Sequence, residues 1–227
     1  MVVVHHLNNS RSQRVLWLLE ELGVAYEIQR YQRDTRTMLA PPELKNVHPL
    51  GKSPVITDDG RVIAESGAIV EYLVERYGDG RLAPRAGTDE RLRYTYWLHY
   101  AEGSALPPLL LKLVFDRIES GPMPFFVRPV ARAIARQVKH SFITPQLQLH
   151  LDYLEAELGR SEWFVGNEFT AADIQMSFPL EAAALRGGLD RSRSRLYTFL
   201  QKIHSRPAYQ RALERGGRYD FGPVQRS

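Results

Sequence analysis

The chain has 227 residues, 44% of them hydrophobic and 25% charged, which is enough to bury a sizeable core in one large domain or two small ones. Its 30 basic residues against 26 acidic ones leave a formal charge of +4, a mild excess that favours anionic ligands without demanding nucleic acid. Cysteine is absent, which excludes disulfides, protein thiolates and cysteine-rich zinc sites together, so any thiol chemistry must use a thiol from the ligand. No apolar run reaches the ~18 residues of a membrane span, and Met1 to Val4 leads into His5-His6 rather than a signal-type apolar core. The expectation is a soluble, cytoplasmic protein without metal.

Val2 to Leu7 is a short β-branched run ending at the polar Asn8-Asn9-Ser10, and it predicts a buried first strand and a turn. Val15, Leu18, Leu19 and Leu22 then share one helical face, with Gly23 placed to stop the helix. Tyr26 to Tyr31 reads as a second strand. The stretch from Asp34 to Val47 is polar and broken by Pro41-Pro42, so a loop with one short helix is expected. Asp59-Gly60 between the apolar runs Ser53–Thr57 and Arg61–Ala64 predicts a hairpin. Ser66 is a plausible N-cap for a helix carrying Ile69, Val70, Leu73 and Tyr77 on one face.

After Gly78-Asp79-Gly80, residues Arg81 to Arg85 read as a linker, and only helical periodicity follows. Long helices are expected over Asp89 to Phe115, bent near Pro107-Pro108, and Phe125 to Leu158, bent at Pro129 and Pro145. Shorter ones are expected over Ala171 to Leu185, Arg195 to His204 and Ala208 to Arg215. Thr170-x-x-Asp173 is a capping box assigned to folding. Arg128, Arg132, Arg136 and Lys139 form a basic stripe read as a solvated face.

Three segments carry chemistry: Asn-Ser-Arg-Ser-Gln-Arg at residues 9 to 14, Asn46 to Pro54 (NVHPLGKSP), and Glu65 to Leu73 (ESGAIVEYL). Ser10 stands at a strand end beside a helix N-terminus, where backbone N–H groups and the helix dipole favour an anion. A hydroxyl there can hold a thiolate, or it can cap the helix, since Ser10-x-x-Gln13 is also a capping box. Ser12 is the competing hydroxyl. The residue before Pro54 is pushed to an extended conformation whose N–H and C=O can pair with an extended peptide. Ser66 and the free N–H groups behind it can hold a carboxylate, with Glu65 facing an ammonium.

These segments, in this order, resemble those of the cytosolic glutathione transferases, and their spacing is similar to that of the serine-type, theta-like microbial branch. The resemblance implies a thioredoxin-like α/β domain (βαβ-αββα, residues 1–80) followed by an all-α helical-bundle domain (residues 87–227), joined as a homodimer without nucleic acid. It implies no permanent cofactor, with reduced glutathione as co-substrate. Ser10 is its catalytic residue, with Ser12 as rival, and Lys52, Ser53, Glu65 and Ser66 bind glutathione around a cis Ser53-Pro54 bond. Tyr100, Glu102 and Ser104 become candidates for second-substrate or cross-dimer contacts. A His or Gln that relatives place before the lysine is missing, so the resemblance implies either that this glycine-carboxylate contact is absent or that Arg36 or His48 replaces it. The implied activity is conjugation of glutathione to small hydrophobic electrophiles, a detoxification reaction, together with hydroperoxide reduction. The alternative is a non-catalytic interaction or ligand-binding module on the same scaffold.

Overall fold

The computed structural model describes residues 1–223. Strands β1 (Val2–Leu7), β2 (Tyr26–Tyr31), β3 (Val55–Asp58) and β4 (Arg61–Ala64) form one mixed sheet in the order β2-β1-β3-β4. β1 and β2 run parallel because α1 (Ser12–Leu22) provides the crossover between them, whereas β3 pairs antiparallel with both β1 and β4. Gly23, left-handed at φ 69°, ends α1 by giving its N–H to the Leu19 carbonyl. The Pro41-Pro42 stretch forms a single 3-10 turn, Pro42–Asn46, and α2 (Ser66–Tyr77) follows the hairpin. This thioredoxin-like unit passes through residues 78–88 into helices alone.

Those helices are α3 (Asp89–Tyr100), α4 (Leu106–Ser120), α5 (Arg128–Val138), α6 (Thr144–Glu157), α7 (Ala171–Ala182), α8 (Ser194–His204) and α9 (Pro207–Gly216). The expected long helices are each divided by a five-residue π turn, Ala101–Ala105 and Lys139–Ile143. Pro107 and Pro145 fall in the first turn of the helix after each π turn, where a missing N–H costs least and the widened ring takes up the proline's bulk. Pro129 starts α5 rather than bending it. A third π turn, Ala183–Gly187, continues α7 to the left-handed Gly188.

The core is continuous across both parts, because α1 packs against the sheet, α2, α7 and α9. Trp17 of α1 lies edge-on to Tyr209 of α9 and tilted on Phe169, burying 99% of its surface at that junction. The Thr170–Asp173 capping box forms, and Asp173, wholly buried, also accepts the Phe164 N–H at 3.0 Å, tying α7 to the loop before it. Arg136 and Lys139 of the basic stripe bind Glu119 of α4, so part of that stripe clamps α5 against its neighbour. Among the described residues no helix is long and apolar enough to cross a membrane.

Candidate functional site

The loop after β1 carries a chain of buried polar groups. Ser10 Oγ lies 2.7 Å from Ser12 Oγ, which lies 2.9 Å from His6 Nδ1 and 3.3 Å from the Leu7 carbonyl oxygen. Burial, and then the charge of Arg30, pull His6 down to about 4, with a hydrogen bond to the Gly216 carbonyl opposing them. The imidazole is therefore neutral at pH 7, and a neutral ring whose N–H faces a carbonyl has its other nitrogen free to accept. Ser12 Oγ, with one proton to give, stands between His6 Nδ1, the Leu7 carbonyl and Ser10 Oγ. The resting Ser10 oxygen keeps its lone pairs for the Ser12 N–H, 3.2 Å away, and for the cavity beyond.

This arrangement corrects the capping expectation. Arg11 holds the N-cap position of α1 with no side-chain cap bond, and Gln13 is buried without a hydrogen-bond partner among the described residues. Ser10 Oγ still accepts the first N–H of α1, from Ser12, but the reciprocal contact of a capping box is missing, and both hydroxyls are also engaged with each other and, through Ser12, with His6. Ser12 has no exposed surface and Ser10 retains 3%, so of the two only Ser10 opens on a cavity.

Ser10 Oγ is 3.4 Å from Ser53 Oγ, and Ser53 also donates to the His5 carbonyl at 3.2 Å. The Ser53-Pro54 peptide bond is cis. Ser53 lies in the wall of a cleft of about 480 Å³ whose lining includes His48, Lys52 and Arg33 together with Glu65 and Ser66. Arg36 is exposed and does not line it. Ser66 is the first residue of α2 instead of its cap; Glu65 occupies the cap position at φ 72°, ψ 126°, a left-handed conformation that costs a non-glycine residue of order 1–3 kcal/mol. Glu65 is exposed and lines the cleft with Ser66, the first residue of α2, and the first N–H groups of a helix have no intrahelical partner.

Ser53 also lines a second cavity of about 370 Å³, shared with Ser10, between the loop after β1 and helices α4 and α7. Its far side is closed by the segment after α9. Asp220 and Asn9 exchange two hydrogen bonds of 2.8 Å, Tyr219 donates to the buried Glu181 at 2.6 Å, and Phe221 stands in the cavity wall.

Tyr100 points away from both cavities, with its hydroxyl 2.6 Å from His150 Nδ1 on α6, and Ser104 lines neither. Glu102 does reach the first cleft, where it pairs with Arg11 at 3.0 Å and with Arg14, an arginine 2% exposed that also donates to the Gln175 carbonyl at 2.5 Å. Opposing effects meet on Glu102: burial raises its carboxyl, and the two guanidiniums bring it below the usual carboxylate range. Arg33, His6, Arg117, Arg186 and Asp220 join the site without a sequence motif. Arg33 had one readable hint, since it follows the second strand, whose end the parallel register places beside Leu7.

Family models for the glutathione S-transferase N-terminal and C-terminal domains match residues 1–75 and 144–207. Glutathione S-transferase 3 of Schizosaccharomyces pombe is 38% identical over 216 residues, covering 95% of this chain and 88% of its own. Glutathione S-transferase 1 of Saccharomyces cerevisiae is 34% identical, covering 81% of each. A crystal structure of a glutathione S-transferase from Actinobacillus pleuropneumoniae superposes with a TM-score of 0.80 at 34% identity, covering 97% of this chain and 95% of that one. A sphingomonad glutathione S-transferase solved with glutathione shares the fold at a TM-score of 0.70 and 24% identity, with 95% and 98% covered. Two family models, curated relatives and a solved relative thus agree along nearly the whole length, and the chain belongs to the glutathione S-transferase family.

Proposed function

We propose that the protein is a serine-type, theta-like glutathione transferase in which reduced glutathione lies in the first cleft and Ser10 holds its sulfur as thiolate. The observation that carries this reading is the position of Ser10, which lines the second cavity with its oxygen 3.4 Å from the hydroxyl of Ser53, a residue of both cavities. In this reading Lys52, with His48 and Arg33, receives the glycine carboxylate. The backbone of Ser53 pairs with the cysteinyl residue, and Ser66 with the α2 N–H groups takes the γ-glutamyl carboxylate while Glu65 meets its ammonium.

A free thiol of pKa about 8.5 is only a few per cent ionised at pH 7, and bringing it to about 7 takes roughly 2 kcal/mol. One charge-assisted hydrogen bond is of that order. When the thiolate forms, the Ser10 hydroxyl turns toward sulfur, since a charged acceptor outbids a neutral one. The sulfur then attacks an electrophilic carbon in the second cavity; a carbon–sulfur bond forms, the leaving group takes the displaced electron pair, and the thiol proton goes to solvent. With an organic hydroperoxide, two glutathiones give the disulfide, an alcohol and water. Assembly as a homodimer in the cytoplasm belongs to the same reading.

Retention on immobilised glutathione, with conjugation and hydroperoxide assays on wild type, Ser10→Ala and Ser12→Ala, tests it. Retention by all three with activity lost in Ser10→Ala is expected. Retention without an effect of either mutation removes the serine mechanism, and a protein that is not retained removes the glutathione site.

A further inference from the structure

We propose that the second cavity selects electrophiles bearing an anionic group, a carboxylate, sulfonate or phosphate ester, and that Arg117 and Arg186 receive that group. The inference rests on the reading of Ser10 and the first cleft given above and names the substrate class of the neighbouring cavity. Leu106, Leu110, Leu113, Phe178 and Phe221 supply apolar walls that suit an aromatic or alkyl body. Four arginines, Arg11, Arg33, Arg117 and Arg186, line the same space, against one carboxylate, Asp220.

The four are not equivalent. Arg11 and Arg33 also line the glutathione cleft, and both are already engaged: Arg11 in an ion pair with Glu102, and Arg33 with the carbonyls of Asn8, Asn9 and Met38. Arg117 and Arg186 line the second cavity and not the first. Among the described residues neither guanidinium makes an ion pair or hydrogen bond, and Arg186 Nε is buried with no partner. Arg186 rests on the Phe221 ring, 5.2 Å from its centroid, which holds it at the wall.

The cations also act on one another. The pKa of Arg33 and that of Arg186 are both lowered, first by burial and then by guanidinium charge, from Arg11 and Arg117 on Arg33 and from Arg117 on Arg186, where Asp116 opposes it. The nearby carboxylates are engaged elsewhere: Asp220 with Asn9 and Arg218, Asp116 with Lys112 and Lys139. A neutral ligand leaves this repulsion in place. An anion relieves it and takes charge-assisted bonds from planar guanidinium forks.

The test compares para-chloro-meta-nitrobenzoate with its methyl ester, which share ring and leaving group and differ in charge. Each kcat/KM is normalised to the uncatalysed rate with glutathione, and the carboxylate-to-ester ratio is followed in wild type, Arg117→Gln/Arg186→Gln and Arg117→Lys/Arg186→Lys. The ratio should favour the carboxylate by about tenfold or more in wild type, fall about tenfold in the glutamine variant, and recover in part with lysine. A normalised ratio near one in wild type, or one the glutamine variant leaves unmoved, overturns the proposal. Equilibrium dialysis of both compounds against the same proteins decides the matter where turnover is slow: preferential binding of the carboxylate that the glutamine variant abolishes supports it, and equal binding overturns it. A protein that fails to bind glutathione but still discriminates by charge overturns the transferase reading alone; one that conjugates both compounds alike overturns only this inference.

Discussion

Replacing Ser10 by alanine removes the hydroxyl to which the thiolate role is assigned, and its effect can be sized. The bond lost is charge-assisted, about 1.5–3 kcal/mol, and each pKa unit corresponds to about 1.4 kcal/mol. The bound thiol should therefore rise by about one to two pKa units, and kcat/KM at pH 7 should fall about 10- to 100-fold, with the loss shrinking as pH rises and thiolate forms without help. Ser12 has no exposed surface and touches Ser10, His6 and the Leu7 carbonyl, so it acts on sulfur only through Ser10. Ser12→Ala should shift the thiol by less than about half a unit, in line with the net worth of a neutral hydrogen bond. Ultraviolet titration of the thiolate in the binary complex reads both shifts, and retention on immobilised glutathione checks that the cleft survives. A Ser10→Ala complex that titrates like wild type, or a Ser12→Ala shift larger than that of Ser10→Ala, refutes the reasoning.

His6 gives a second expectation. Its folded value, about 4, lies below the 6.5 of an unperturbed imidazole, so between those values the unfolded chain binds a proton that the folded one refuses; this contribution is complete above pH 6.5 and is lost as pH falls toward 4. The total is about 3 kcal/mol, and urea denaturation midpoints measured across that range should lose the corresponding slope in His6→Gln. Glu102→Leu leaves Arg14 buried with a carbonyl as its acceptor and should cost about 3–5 kcal/mol, whereas Arg14→Met combined with Glu102→Leu should recover most of it in thermal unfolding. Asp173→Ala removes the acceptor of the Thr170 and Phe164 N–H groups and should lower stability by about 2–5 kcal/mol, through the lost cap and the donors left buried. Asp173→Asn, which keeps an acceptor oxygen, should lose less by calorimetry.

The elements that short-range rules govern were readable from the chain itself. The Asp59-Gly60 hairpin, the strand-helix-strand start, Gly23 as a helix stop and the Thr170 capping box each depend on residues a few positions apart, and each appears where the local pattern puts it. The π turns were not readable, because a proline marks where a helix must yield and not how. The sheet-to-helix junction hid more. Arg14 reads as the polar residue of an amphipathic helix, yet it is buried because α7 and the turn after α3 supply its acceptors from Gln175 and Glu102. The Ser10–Ser12–His6 chain escaped for a similar reason: Ser10 and Ser12 share a capping pattern in sequence, and only the strand that brings His6 under the loop shows what they bind. Arg117 and Arg186 gather with Arg33 from three distant segments, which no spacing in one sequence reveals.

The latch between Asn9 and Asp220 joins positions 211 apart in the chain. The strands, α1 and α2 around the first cleft emerge from the ribosome early, while the segment that closes the second cavity arrives after α9. A nascent or proteolytically shortened chain ending before residue 217 keeps the first cleft's own segments but leaves Ser10 open on one side, with the cavity's arginines facing water. The order of synthesis thus separates the two cavities: the segments around the first are made early, and the second is completed last.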